Sequence, residues 1–139
     1  MLERAIQIAV EAHMGQTDKG GHPYILHPLR VMMSVNDTLE KTVAVLHDVV
    51  EDSAWNFEDL LKEGFSIDVI DALKSVTKVD SSESYELFIQ RALSNPIGRR
   101  VKIADLRDNL DVTRVTELGE KDLERLNKYK HALTVLEAS

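Results

Sequence analysis

Apolar and polar positions alternate with a helical period along almost the whole chain. Leu2 to Met14 sets Ile6, Ile8, Ala9 and Val10 on an amphipathic repeat, and Gly15 follows as a stop signal. Gln16 to Tyr24 reads as a polar loop with Gly20-Gly21 and Pro23. His27-Pro28 opens a short second helix to Met33, with proline suited to its first turn. Asp37 or Thr38 caps a third, which runs on through His47-Asp48-Val49-Val50-Glu51-Asp52. Asn56 starts a fourth that ends at Gly64, and Ser66 a fifth that reaches Ser75. Ser81-Ser82 begins a sixth, with Tyr85, Phe88, Ile89 and Leu93 on its apolar face. Asn95-Pro96 provides a cap and a first-turn proline for a long seventh helix to Arg114; an eighth covers Lys121 to Glu137. No stretch sustains a period of two. The expected fold class is therefore all-α, a bundle of about seven or eight helices. The polar segments 16–21 and 78–84 have few apolar anchors and are expected to be the most mobile.

Composition narrows the function classes. A chain of 139 residues, 43% hydrophobic and 29% charged, suits one globular domain over residues 1–139. No apolar run approaches the roughly 18 residues of a membrane span. Met1-Leu2-Glu3-Arg4 does not open a signal peptide, so no membrane association and a cytoplasmic address are expected. The absence of cysteine excludes disulfides and thiolate metal sites. A net charge of −7 argues against DNA or RNA as partners. A local cluster of Lys19, Arg30, Arg99, Arg100, Lys102 and Arg107 beside a metal would still admit a phosphorylated small molecule. A homo-oligomer stays open.

The segment from His47 to Asp52 carries the chemistry. On one continuous helix His47, Asp48, Glu51 and Asp52 fall within an arc of about 140°. Val43, Val45, Leu46, Val49 and Val50 take the other side. Acids near a helix C-terminus oppose the macrodipole, and two carboxylates about 6 Å apart repel by roughly 3 kcal/mol at an effective dielectric near 20. A divalent cation together with a proton-transfer role offsets that cost; the alternative is a solvated acidic face. His27, set among Tyr24, Ile25, Leu26 and Pro28, reads alone as a structural histidine and beside a His-Asp pair as a metal ligand. Asp105 falls near the helical face of Val101 and Ala104, with Asn109 one turn on; it is either an inward carboxylate or a capping or surface acid. His13 is expected to have a core or capping role, and His22 and His131 to be solvated. No phosphate-binding Gly-rich loop, nucleophile elbow or paired Glu-x-x-His motif is present.

Taken together, His27, His47-Asp48, Glu51-Asp52 and Asp105 resemble the pattern of the HD-domain metal-dependent phosphohydrolases. The likeness is closer to the alarmone hydrolase branch: the hydrolase domain of RelA/SpoT enzymes and the free-standing Mesh-type small hydrolases. It is carried by Ala12-His13-Met14-Gly15-Gln16, Gly21-His22-Pro23-Tyr24-Ile25-Leu26-His27-Pro28, Leu46-His47-Asp48-Val49-Val50-Glu51-Asp52 and Val101-Lys102-Ile103-Ala104-Asp105. The resemblance implies a helical HD fold with one metal, usually manganese, held by His27, His47, Asp48 and Asp105. It implies that Glu51 and Asp52 are the catalytic pair and that Lys19 and Asn109 contact a phosphorylated nucleotide. The implied reaction is attack of water on the 3′-diphosphate of (p)ppGpp, releasing pyrophosphate and GDP or GTP. Two departures stand out. The family's Arg-Lys pair is here Asp18-Lys19, and its Asp-Arg-Leu-x-Asn is Asp105-Leu106-Arg107-Asp108-Asn109. The metal-binding and hydrolytic parts are intact while the base-reading parts are altered. Another nucleotide such as NADPH is the alternative substrate, and a non-catalytic nucleotide-binding module the alternative class.

Overall fold

The computed structural model describes residues 1–78 and 80–138, and these form helices α1 (Leu2–His13), α2 (Leu26–Met33), α3 (Thr38–Leu46), α4 (Val49–Asp52), α5 (Phe57–Lys62), α6 (Ile67–Val76), α7 (Tyr85–Ser94), α8 (Pro96–Leu110) and α9 (Glu120–Glu137). The all-α expectation holds, with one isolated bridge between Thr17 and Pro23 among the described residues.

Helix α3 is the axis of the larger core. Thr42, Val43, Ala44, Val45 and Leu46 are all buried, so this helix has no solvent face over its last five residues. It packs on α1, α2, α6 and α8. Ile8, Val31, Leu60, Phe65, Ile70, Leu73 and Val101 fill the space between them. A second cluster joins α6, α7, α8 and α9 through Val76, Ile89, Ala92, Leu106, Ala132 and Leu136. Helix α8 threads both clusters. It approaches α6 so closely at Gly98 that a Cβ there would lie 2.0 Å from Ser75 Oγ, so the helix crossing requires glycine.

Several helix starts follow the residues that announce them. Asp37 caps α3 in a reciprocal box with Glu40, Asn56 does the same for α5 with Asp59, and Asn95 caps α8 with Pro96 behind it. Glu40 is buried, and its carboxylate accepts from the backbone of Asn36 and Asp37 and from Arg100.

Three boundaries differ from the sequence reading. Helix α7 is capped by Ser84, not by Ser81-Ser82; Asp80 turns the chain first by accepting the Ser82 amide. Helix α8 ends at Leu110, not Arg114. Asp111 is extended and accepts both the amide and hydroxyl of Thr113, while Arg114 folds back onto the Asp108 carbonyl. Most consequentially, α3 does not run through to Asp52. It stops at Leu46, and His47-Asp48 form a turn before the short α4.

The segment expected to be mobile at 16–21 is a tied turn. Asp18 Oδ1 accepts from the amides of Gly20 and His22, and the Asp18 amide donates to the His22 carbonyl. Of the other such segment, Val79 lies outside the described residues.

Candidate metal centre

The break after α3 gives His47 its orientation. The Ala44 carbonyl lies 2.6 Å from His47 Nδ1, and a carbonyl can only accept, so this nitrogen carries the proton. Nε2 is left with its lone pair facing inward. It is fully buried and has no aligned hydrogen bond among the described residues, although carboxylate oxygens of Asp48 and Asp105 stand 3.1 and 3.3 Å away. An orphaned, buried acceptor between two carboxylates is costly unless a cation occupies the space.

His27 arrives from the first turn of α2 and Asp105 from the middle of α8. His27 Nε2 is 2.9 Å from Asp105 Oδ1 and 3.7 Å from Asp48 Oδ2. These separations bring the facing nitrogen and oxygen atoms close enough that one cation could be shared among them. His27, His47 and Asp48 form a group able to hold a metal ion, with Asp105 against both imidazoles. Two neutral imidazoles with two carboxylates suit a borderline divalent transition metal. The donor set therefore fits the implied cation.

The electrostatics of the cluster favour positive charge at its centre. Burial alone would lower both imidazoles, yet Asp105 and Asp108 raise His27, and Asp48 and Asp105 raise His47 further. Burial likewise would raise the two carboxyls. The charge of His47 outweighs it at Asp48, and Lys102 followed by His47 outweighs it at Asp105, so both stay below the usual carboxylate range. The cluster recruits protons where a cation would otherwise sit.

The surroundings hold each donor by a second contact. Tyr24 O–H donates to Asp48 Oδ2. Lys102 donates to Asp105 Oδ2 at 2.9 Å from under the Phe88 ring, whose centroid is 4.9 Å from the ammonium. Asn109 donates to Asp105 Oδ1 at 3.1 Å. Asp108, 2.6 Å from His27 Nδ1, is itself gripped by the fork of Arg30. In the sequence, Lys102 and Arg30 read as members of a basic cluster and Asp108 has no assigned role. The helical stripe Val101-Ala104-Asp105-Asp108 was the signal that could have found Asp108.

That basic cluster does not assemble as expected. Lys102 is consumed by Asp105, Arg30 by Asp108, Arg100 by Glu40 and Arg107 by Glu137, and Arg99 donates to the Leu136 carbonyl. Lys19 is exposed at the rim of the site, beside Thr17 and Gly20. It lines a cleft of about 420 Å³ together with Tyr24, His27, Asn109, Arg114, Arg125 and Tyr129. His22, expected to be solvated, is exposed but also borders this cleft, while His131 lies elsewhere on α9.

Glu51 and Asp52 stand at the edge of the site on α4. Burial and the Asp48 charge raise the Glu51 carboxyl against the opposing Lys78 amide, which donates to it; the same two causes raise Asp52. Gln16 anchors this turn, donating from Nε2 to the carbonyls of Ala12 and Asp52 while its Oε1 meets His13 Nδ1. The buried His13 is thus a structural strut between α1 and α4, in line with its expected core role.

No protein-family model matches the chain. Individual proteins do. It is 31% identical over 122 residues to the guanosine-3′,5′-bis(diphosphate) 3′-pyrophosphohydrolase of Aquifex aeolicus, matching 78% of this chain and 17% of that protein. It is 30% identical over 125 residues to the bifunctional (p)ppGpp synthase/hydrolase SpoT of Escherichia coli, again over 78% of this chain and 17% of the relative. The chain thus spans about a sixth of the length of these curated relatives. A solved structure of a metazoan orthologue of SpoT, described as hydrolysing ppGpp, superposes with a TM-score of 0.79 at 27% identity, covering 97% of this chain and 84% of the other. By sequence over this segment and by fold, the chain is similar to these guanosine-3′,5′-bis(diphosphate) 3′-pyrophosphohydrolases and to the metazoan SpoT orthologue.

Proposed function

We propose that this chain is an HD-type, metal-dependent pyrophosphohydrolase that takes (p)ppGpp and water to GDP or GTP and pyrophosphate. The observation that carries the proposal is the convergence of four donors from α2, the α3–α4 turn and α8, with the Nδ1 of each imidazole engaged elsewhere. His27, His47, Asp48 and Asp105 would hold the cation, for which Mn²⁺ is the preferred candidate. When bound, such an ion supplies Lewis-acid polarisation and a more acidic water.

The protein's own groups divide the remaining work. Glu51 and Asp52, with carboxyl pKa values raised from the ordinary range, orient the attacking water and accept its proton. As the bond between phosphorus and the ribose 3′-oxygen breaks, the proton returns to that oxygen. Lys19 on the rim and Asn109 beside Asp105 line the cleft that receives the nucleotide. The similarity to these relatives supports the guanosine substrate, because their names specify it.

A second reading keeps the chemistry and changes the nucleotide, NADPH being one candidate. Asp18 favours it, since this position lines the cleft and cannot stack a cation on guanine. The same carboxylate, however, accepts two amides of its own turn, which gives it a local structural duty and weakens the argument from its charge. Steady-state kinetics with Mn²⁺ on a nucleotide panel decide. Selective pyrophosphate release from ppGpp supports the first reading. Inert ppGpp beside rapid phosphate release from another nucleotide defeats it.

A further inference from the structure

We propose that Asp108 is a positioning residue that fixes the His27 imidazole for metal binding and is itself locked by Arg30 and Arg114. The proposal rests on the metal-centre reading above and adds a residue and a purpose to it. Two pairs at i, i+3 spacing face one another across the α2–α8 contact: His27 with Arg30, and Asp105 with Asp108. Between them they close a chain of contacts. Arg30 Nε donates to Asp108 Oδ1 at 2.8 Å and Nη2 to Oδ2 at 3.0 Å. Arg114 Nη2 adds a bond to the Asp108 carbonyl at 3.0 Å and stands 3.6 Å from Oδ1. Asp108 Oδ2 then meets His27 Nδ1 at 2.6 Å, and His27 Nε2 is left 2.9 Å from Asp105 Oδ1.

Each link constrains the next. A carboxylate held between two guanidinium groups stays an acceptor, so His27 Nδ1 must be the protonated nitrogen. The opposite nitrogen then offers its lone pair to the centre. The ring also loses its freedom to rotate about the Cβ–Cγ bond, because both nitrogens have fixed partners. His47 is oriented by the Ala44 carbonyl and His27 by a side chain, so the two imidazoles are set by different means. Carboxylates in this position on a metal-ligating histidine are worth 10–100-fold in metal affinity.

A plain helix clasp between Arg30 and Asp108 is the competing account, and metal titration separates the two. Asp108→Asn is expected to weaken Mn²⁺ binding by about 10–100-fold in calorimetric titration of the metal-free protein. The Mn²⁺ concentration for half-maximal turnover should rise by the same factor, and excess Mn²⁺ should restore the rate. A clasp would lower the unfolding midpoint and leave Mn²⁺ affinity as in the wild type; that result overturns the proposal. Should Asp108→Asn fail to fold, Arg30→Gln carries the same test, with a smaller loss of affinity expected and unchanged affinity overturning it. His27→Ala separates the two levels of inference. Wild-type Mn²⁺ affinity in that variant sinks the metal centre itself, whereas loss there with unchanged affinity in Asp108→Asn sinks only the positioning role.

Discussion

The centre and the rim of the site are built on different principles. At the centre, His27, His47 and Asp105 are nearly inaccessible, and each is held by a partner outside the donor cluster: Asp108, the Ala44 carbonyl and Lys102 respectively. At the rim, Glu51, Asp52 and Lys19 reach solvent, and Glu51 accepts the Lys78 amide. Groups that bind a spherical ion profit from rigidity, since every tenth of an ångström is set before the ion arrives. In the proposed roles, groups that move protons and receive a polyphosphate benefit from solvent access and rotamer freedom. Substitutions in the two zones should therefore fail in different ways.

The largest effect is expected from the centre. His47→Ala should abolish both metal content, read by elemental analysis, and nucleotide turnover; equal metal and rate in the variant would defeat the site assignment. Glu51→Gln should lower turnover by about 10²–10⁴-fold while leaving metal content intact. Because the Glu51 carboxyl is raised above its ordinary value, the acid limb of the wild-type rate profile should lie above the usual glutamate range. Activity should fall as pH drops through that limb, when the base becomes protonated. A profile with its acid limb in the ordinary range would remove Glu51 as the base.

The seating of α3 gives a third, smaller effect. Glu40→Gln keeps one oxygen for the two amides but sets a donor NH2 against the Arg100 guanidinium in a buried site, at a cost of about 2 kcal/mol in denaturant unfolding. Burial alone would raise Glu40, but the Asn36 amide, Arg100 and the Asp37 amide hold it below its ordinary value. Its contribution is thus complete above the unfolded-state pKa and is lost as pH falls through the lower folded one. The stability gap between wild type and variant should close in acid; a constant gap would show that the charge is irrelevant. Smaller again, Lys19→Ala should raise the nucleotide KM about tenfold at unchanged metal content, equivalent to roughly 1.4 kcal/mol of binding. The smallest effect belongs to the exposed Lys62–Glu58 pair, whose removal should shift stability by less than about 0.5 kcal/mol.

Much of this is legible in the sequence itself. Caps at Asp37, Asn56 and Asn95 announce helices because they satisfy backbone donors locally, and local chemistry is what a sequence displays. The coming together of His27, the His47-Asp48 pair and Asp105 was legible as a motif, although their contact depends on α2 and α8 meeting across α3. What escaped notice was long-range pairing. Arg30 and Lys102 look like free cations in a sequence and are spent on Asp108 and Asp105 in the fold. Asp18 looks like a repulsive charge toward a phosphate ligand and is largely the staple of its own turn. The sequence pattern predicts one continuous helix through Asp52 because Val49 and Val50 extend the apolar repeat, whereas the backbone pauses at His47.

That pause sets a limit on improvement. In an unbroken helix the Ala44 oxygen would be taken by the amide four residues on; here it takes the His47 amide at 3.4 Å and the ring nitrogen at 2.6 Å. Changes that make residues 44–49 a stronger helix former would raise the melting temperature and turn the imidazole away from its post. With His47 in its proposed metal role, thermal hardening at this point would trade against activity, and selection for a tougher protein should leave this irregularity untouched.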